Sequence, residues 1–113
     1  MKLSTFRFRF TAATAAVLAL SSPASAAGVE LMDDTGRRVV LAAPAKRIVS
    51  LAPHVTEMLF AAGAGERGVG AVDYSDYPEA ARRIERVGGY TRIDLEAVAA
   101  LRPDLVIGWQ SGN

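Results

Sequence analysis

The chain has 113 residues, with 13 lysines and arginines set against 12 aspartates and glutamates, a formal net charge of +1, one histidine and no cysteine. Without cysteine it has no disulfide, no thiol nucleophile and no residue to carry a lipoprotein anchor. The near-neutral balance argues against nucleic acid or anionic lipid as a partner.

Met1 to Ala26 has the three-part layout of a secretory signal. Lys2, Arg7 and Arg9 make a positive start, Phe10 to Leu20 an apolar middle, and Ala24-Ser25-Ala26 a small-residue cleavage site. The apolar run falls short of the roughly 20 residues that span a bilayer. Cleavage after Ala26 and export as a soluble protein are therefore expected. Removing the three basic residues leaves ten against 12 acidic ones, so residues 27–113 carry a charge of about −2. They are enough for one small domain that buries about 60 to 65% of its unfolded surface, and no linker or repeat divides them.

Gly28 to Met32 and Arg37 to Leu41 flank the turn-rich Asp33-Asp34-Thr35-Gly36 and predict a β-hairpin. Ile48 to Ala52 is a continuous apolar run of the kind found in strands buried on both faces, broken by Pro53 and His54. Val55, Met58, Leu59 and Ala62 recur at helical spacing, with Gly63 as terminator. The strand Gly68 to Val72 follows, and strand, helix, strand implies parallel pairing. Pro78 opens a second helical stretch through Ile84. Asp94 is a good N-cap for a helix over Leu95 to Leu101, with Leu95, Val98 and Leu101 as its buried stripe. Pro103 ends that helix, and a strand over Asp104 to Trp109 closes the pattern. The fold class is α/β: an N-terminal hairpin followed by parallel βα units.

Gly63-Ala64-Gly65-Glu66-Arg67-Gly68 matches the glycine spacing of a dinucleotide fingerprint, but its context is inverted. A phosphate loop follows a strand and opens a helix, whereas this run follows a helix and opens a strand. The glycines are expected to be a helix stop. Catalytic constellations are thin, since there is a single histidine and no Gly-x-Ser-x-Gly turn, so the chain is not expected to be an enzyme. His54 sits where a buried strand runs into a helix, a good place for a ligand-facing group. It has no second ligand nearby in sequence, and no metal site is expected.

The aromatic residues are more telling. Tyr74 follows one predicted strand, Tyr90 follows the Gly88-Gly89 break, and Trp109 ends the last strand. All three are expected on one rim beyond the carboxyl ends of the strands, where open α/β sheets place ligands. The competing reading is that one or two of them pack under their own loops. Tyr77, beside Pro78, is expected to be structural. Glu96 points outward on the helix capped by Asp94, and by itself it is a solvated charge near a helix start.

The run Arg47-Ile48-Val49-Ser50-Leu51-Ala52-Pro53 with Thr56-Glu57, Asp94-Leu95-Glu96, and Arg102-Pro103-Asp104-Leu105-Val106-Ile107 resemble first-lobe motifs of the cobalamin- and siderophore-type periplasmic binding proteins that feed ATP-driven importers. Within that family, Tyr74-Ser75-Asp76-Tyr77-Pro78 and Trp109-Gln110-Ser111-Gly112-Asn113 look like the vitamin-binding branch rather than the siderophore or haem branches. The resemblance implies the first lobe of a bilobal fold over residues 27–113. A second lobe and its connecting helix are absent from the sequence, which suggests a truncated product or gene fragment.

By the same resemblance the ligand is cobalamin or a related corrinoid, carried as cargo with no resident cofactor. Tyr74 and Trp109 fall on aromatic ligand contacts, Tyr90 stands where the best-studied type of that branch has a tryptophan, and Pro53 matches a cleft residue. His54 replaces a small residue, which would narrow the pocket or offer a ligand to cobalt. Glu96 matches the acidic residue by which such a lobe docks on the permease dimer of an ABC transporter. The expected product is a periplasmic monomer that meets the membrane only through that permease. The alternatives are a haem or ferric-siderophore carrier on the same scaffold, for which Arg82, Arg83, Arg86 and Arg92 are the relevant basic residues, and a small exported hydrolase.

Overall fold

The computed structural model describes residues 27–113; the signal layout at Met1 to Ala26, with its cleavage site, lies outside the described residues. The hairpin forms as predicted, with β1 (Val29–Met32) antiparallel to β2 (Arg38–Leu41) and Val29 opposite Leu41. Its turn is closed by Asp33, whose carboxylate accepts from the Thr35 amide (2.9 Å), the Thr35 hydroxyl (2.6 Å) and the Arg37 amide (2.8 Å). These bonds, led by the hydroxyl, hold the Asp33 carboxyl below its ordinary range.

After the hairpin come β3 (Ile48–Ser50), α1 (Pro53–Ala61), a 3₁₀ turn at Gly65–Arg67 and β4 (Gly68–Ala71). A second 3₁₀ segment (Glu79–Arg83) precedes β5 (Glu85–Arg86), β6 (Gly88–Gly89) and β7 (Arg92–Ile93); α2 (Leu95–Ala100) and β8 (Leu105–Ile107) complete the chain. The main sheet has the order β5-β4-β3-β8 and every pairing in it is parallel. The expected α/β class with parallel βα units is what the chain adopts. No helix among the described residues is long and apolar enough to cross a membrane.

The two helices cover opposite faces. Ala97, Val98 and Leu101 pack against Val49, Val72 and Val87, which are fully buried. On the other face Ser50 meets Thr56 of α1. At the amino ends of the strands, the Asp104 carboxylate accepts from the Lys46 and Arg47 amides at 2.8 Å, and the Arg47 guanidinium donates to the Leu101 carbonyl at 2.9 and 2.7 Å. Those two amide bonds lower the Asp104 pKa and pin β8 to β3 before the ladder begins.

Several local expectations are corrected. The strand ends before Pro53, as expected, but α1 starts at Pro53 rather than Val55: Ala52 is the extended residue ahead of it, and a proline at the first helical position gives up an amide hydrogen that would be unpaired anyway. The buried side of α1 is turned away from Met58 and Ala62, which are exposed, toward Val55 and the fully buried Thr56. Leu95 is also exposed, because the Asp94 cap sets the helix phase so that Ala97, Val98 and Leu101 face the sheet. The stretch from Pro78 to Ile84 is only a 3₁₀ segment. The two-residue strands β5, β6 and β7 were not anticipated.

Candidate functional site

The path of the chain makes one crevice. From β3 it winds through β4 to the edge strand β5, then returns by α2 to pair β8 on the other side of β3. Beyond the carboxyl ends of β3 and β8 the two connections diverge, which is where open α/β sheets bind ligands. Pro53 and His54 leave β3 there, and Trp109 leaves β8. The His54 and Trp109 rings meet edge to face, with centroids 5.0 Å apart and planes at 85°, a favoured aromatic geometry.

Asn113, which sequence reasoning named only within a motif and not as a site residue, ties this rim together. Its side-chain amide donates to the Leu51 carbonyl (3.0 Å) and to the Tyr90 carbonyl (2.7 Å), while its oxygen accepts from the Trp109 amide (2.7 Å). One side chain thus joins the ends of β3 and β8 to the tight turn between β6 and β7. Gly112 belongs to the same device, since a Cβ there would run into the six-membered ring of Trp109. The signal available in the sequence was no more than a Gly-Asn pair soon after the tryptophan.

Tyr74 lies on the neighbouring loop, past β4, and is 81% exposed with φ 65°. That loop is fastened to β6 by the Asp73 amide, which donates to the Gly88 carbonyl at 2.8 Å. Of the five expected ligand residues, Pro53, His54, Tyr74 and Trp109 follow the carboxyl ends of main-sheet strands, and Tyr90 follows β6 in the separate two-stranded sheet. Four of them belong to the three segments that Asn113 clasps, and Tyr74 stands one loop away. None of the three rings is shut under its own loop, and Tyr77, expected to be structural, is also largely exposed.

Glu96 is exposed in the first turn of α2. The Asp94 carboxylate caps this turn, accepting from the Glu96 and Ala97 amides at 3.0 Å, as expected. Gly63 ends α1 with φ 78°, and the glycines after it lead through one 3₁₀ turn into β4 rather than from a strand into an α-helix, so the dinucleotide reading falls. No group of three His, Asp or Glu residues among the described residues is placed to hold a metal. A hollow of about 640 Å³ runs along the outer edge of β8, between Leu31, Val39 and Leu41 of the hairpin and Leu105, Ile107 and Trp109. It touches the aromatic rim at Trp109 and Asn113, so this hollow and the crevice identified by topology are different places.

A family model described as periplasmic binding protein matches residues 48–112. The vitamin B12-binding protein of Vibrio vulnificus strain CMCP6 is 50% identical over 72 residues, 64% of this chain and 26% of that protein. Among solved structures, the periplasmic vitamin B12-binding protein BtuF of Vibrio cholerae superposes with a TM-score of 0.60 at 50% identity, covering 62% of this chain and 28% of that one. The periplasmic heme-binding protein RhuT of Roseiflexus sp. RS-1 gives 0.57 at 38% identity, covering 60% and 26%. The chain spans about a quarter of the length of the relatives it matches. With the family model covering more than half of its residues and the parallel βα lobe in place, the chain belongs to the periplasmic binding protein family.

Proposed function

We propose that this chain is the first lobe of a non-enzymatic capture protein for cobalamin or a related corrinoid, acting in the periplasm and delivering its cargo to the permease of an ATP-driven importer. The observation that carries this reading is the aromatic rim at the switch point: Trp109 braced by His54, Tyr90 clasped beside it, and Tyr74 projecting from the next loop. Large stiff rings offer flat apolar area at low entropy cost, suited to the face and edge of a macrocycle, while tyrosine hydroxyls reach the polar amide arms. The vitamin B12-binding relatives at about half identity support the same cargo. Residues 27–113 supply one wall of the cleft, and a second lobe supplies the other. No bond is made or broken in such a cycle.

A haem carrier is the second reading, favoured by the likeness to a heme-binding protein at 38% identity. An anionic siderophore fits less well. Arg86 is engaged by the carbonyls of Ala81, Ile84 and Ser75 and by Asp76. Arg83 lines a hollow with Arg47, Gly68 and Glu85 at the amino ends of the strands, away from the rim. Of the four expected basic residues only Arg92, on β7, belongs to a rim segment.

The test is a titration of a two-lobed reconstruction, this lobe joined to the second lobe of a vitamin B12-binding relative, with cyanocobalamin, aquocobalamin, haemin and a ferric catecholate, followed by calorimetry and the visible spectrum. Saturable heat release and a visible spectral shift with the corrinoids, both weakened by Trp109→Ala, are expected. Comparing the two cobalamins separates an imidazole that coordinates cobalt from one that only shapes the wall. Flat titrations with both corrinoids overturn the proposal, and saturation by haemin alone transfers it to the second reading.

A further inference from the structure

Beneath Tyr74 lies a chain of three buried hydroxyls that the proposed binding function does not by itself require. Ser50, Thr56 and Ser75 are 1%, 0% and 1% exposed. The Ser50 and Thr56 oxygens are 2.6 Å apart, and the Thr56 hydroxyl donates to the Ser75 oxygen at 3.1 Å. Each comes from a different element: the end of β3, the first turns of α1, and the loop after β4. Among the described residues no buried side-chain polar atom is left without a partner. A complete polar network in a dry interior fixes its members closely, because a displaced hydroxyl loses its partner and finds no water to replace it.

Ser75 is held at every polar atom it has. Its amide donates to the Val72 carbonyl (3.3 Å), its hydroxyl meets Thr56, and its carbonyl accepts from Arg86 (3.0 Å), whose guanidinium also reaches Asp76 at 3.3 Å. The residue just before it is Tyr74, at φ 65° and 81% exposed. A left-handed backbone disfavours a bulky side chain, and so exposed a ring gains little from packing to offset that cost. Neighbours that over-determine such a conformation while its side chain projects into solvent mark a pre-formed contact.

We infer that Thr56, through Ser75, is a positioning residue that holds the Tyr74 ring in its ligand-ready place, so that binding does not have to order this loop. The inference rests on the proposed corrinoid reading for what Tyr74 touches, and on the hydroxyl chain for how it is held. Thr56 makes no ligand contact itself. Its place on the buried side of α1, beside Val55, follows from this role: a methyl in place of the hydroxyl would fill the space and release the loop.

The experiment is a double-mutant cycle on the same two-lobed reconstruction, reading cyanocobalamin affinity for the wild type, Thr56→Val, Tyr74→Ala and the double variant, with amide hydrogen exchange of Ser75 and Asp76 measured in the absence of ligand. Thr56→Val is expected to weaken binding about tenfold when Tyr74 is present and less than twofold when it is alanine, a coupling that a general loss of stability does not produce. It is also expected to speed exchange at Ser75 and Asp76 while leaving Val49 and Val87 protected. Ser75→Ala, which keeps the Ser50 to Thr56 bond, should reproduce both effects. Equal losses in the two Tyr74 backgrounds, or unchanged exchange at Ser75 and Asp76, overturn the inference. Failure of the wild type to bind any corrinoid sinks the ligand reading instead, and the exchange measurement then decides the clamp on its own.

Discussion

Asn113 uses both amide hydrogens and its oxygen to hold three segments, so removing it loosens three loop ends at once. Asn113→Ala leaves the Leu51 and Tyr90 carbonyls and the Trp109 amide to water or to nothing, and each lost bond of this kind is worth about 1 kcal/mol. The expected outcome is ligand binding weakened about ten- to a hundredfold, with Trp109 emission shifted to the red as the indole leaves His54. Gly112→Ala should act on the same ring by collision rather than by lost bonds, displacing Trp109 while the Asn113 donors remain. Unshifted emission in both variants would show that the indole is held by some other contact. The sequence made the aromatic residues visible because ring size and position after a strand are local properties. Asn113 was hidden because two of its three partners lie 62 and 23 residues away.

At the scale of elements, what was legible had a local cause. Asp33-Asp34-Thr35-Gly36 closes a turn with its own side chains, Asp94 caps with its own carboxylate, and the βαβ order obliges β3 and β4 to lie parallel. What was illegible depended on partners. The strands β5, β6 and β7 are two residues each, too short to show any periodicity, and exist only because β4 or one another offers hydrogen bonds. The burial of Thr56 needed Ser75, 19 residues on.

Asp104 carries a prediction at this scale. Its folded-state pKa is lowered because its ionised form accepts the Lys46 and Arg47 amides. Its contribution is therefore fully present above the ordinary carboxylate range and disappears as pH falls through the lowered value. Asp104→Asn should be less stable than the wild type at neutral pH, and the gap in denaturation midpoint should close as pH drops below about 4. A gap that stays constant across that range would mean that the carboxylate charge contributes nothing to joining β3 and β8.

For the molecule as a whole, the proposed capture and delivery call for two surfaces that do not obstruct each other, and the lobe offers a candidate for each. The aromatic rim occupies the carboxyl edge of the sheet. Glu96 stands on α2, whose opposite side, through Ala97, Val98 and Leu101, is committed to the core, so the glutamate stays accessible when the rim is covered. A charge so placed gains little for stability in water; in the proposed docking its part would be steering and register against a basic permease surface. Glu96→Lys should leave cyanocobalamin affinity within about twofold, while stimulation of importer ATPase activity falls about tenfold at low ionic strength. That deficit should shrink at several hundred millimolar salt, where the Debye length drops to a few ångströms, and reversing a facing basic residue of the permease should restore coupling. Undiminished stimulation by Glu96→Lys at low salt would remove Glu96 from the docking surface and leave the exposed face of α2 without a partner-facing role.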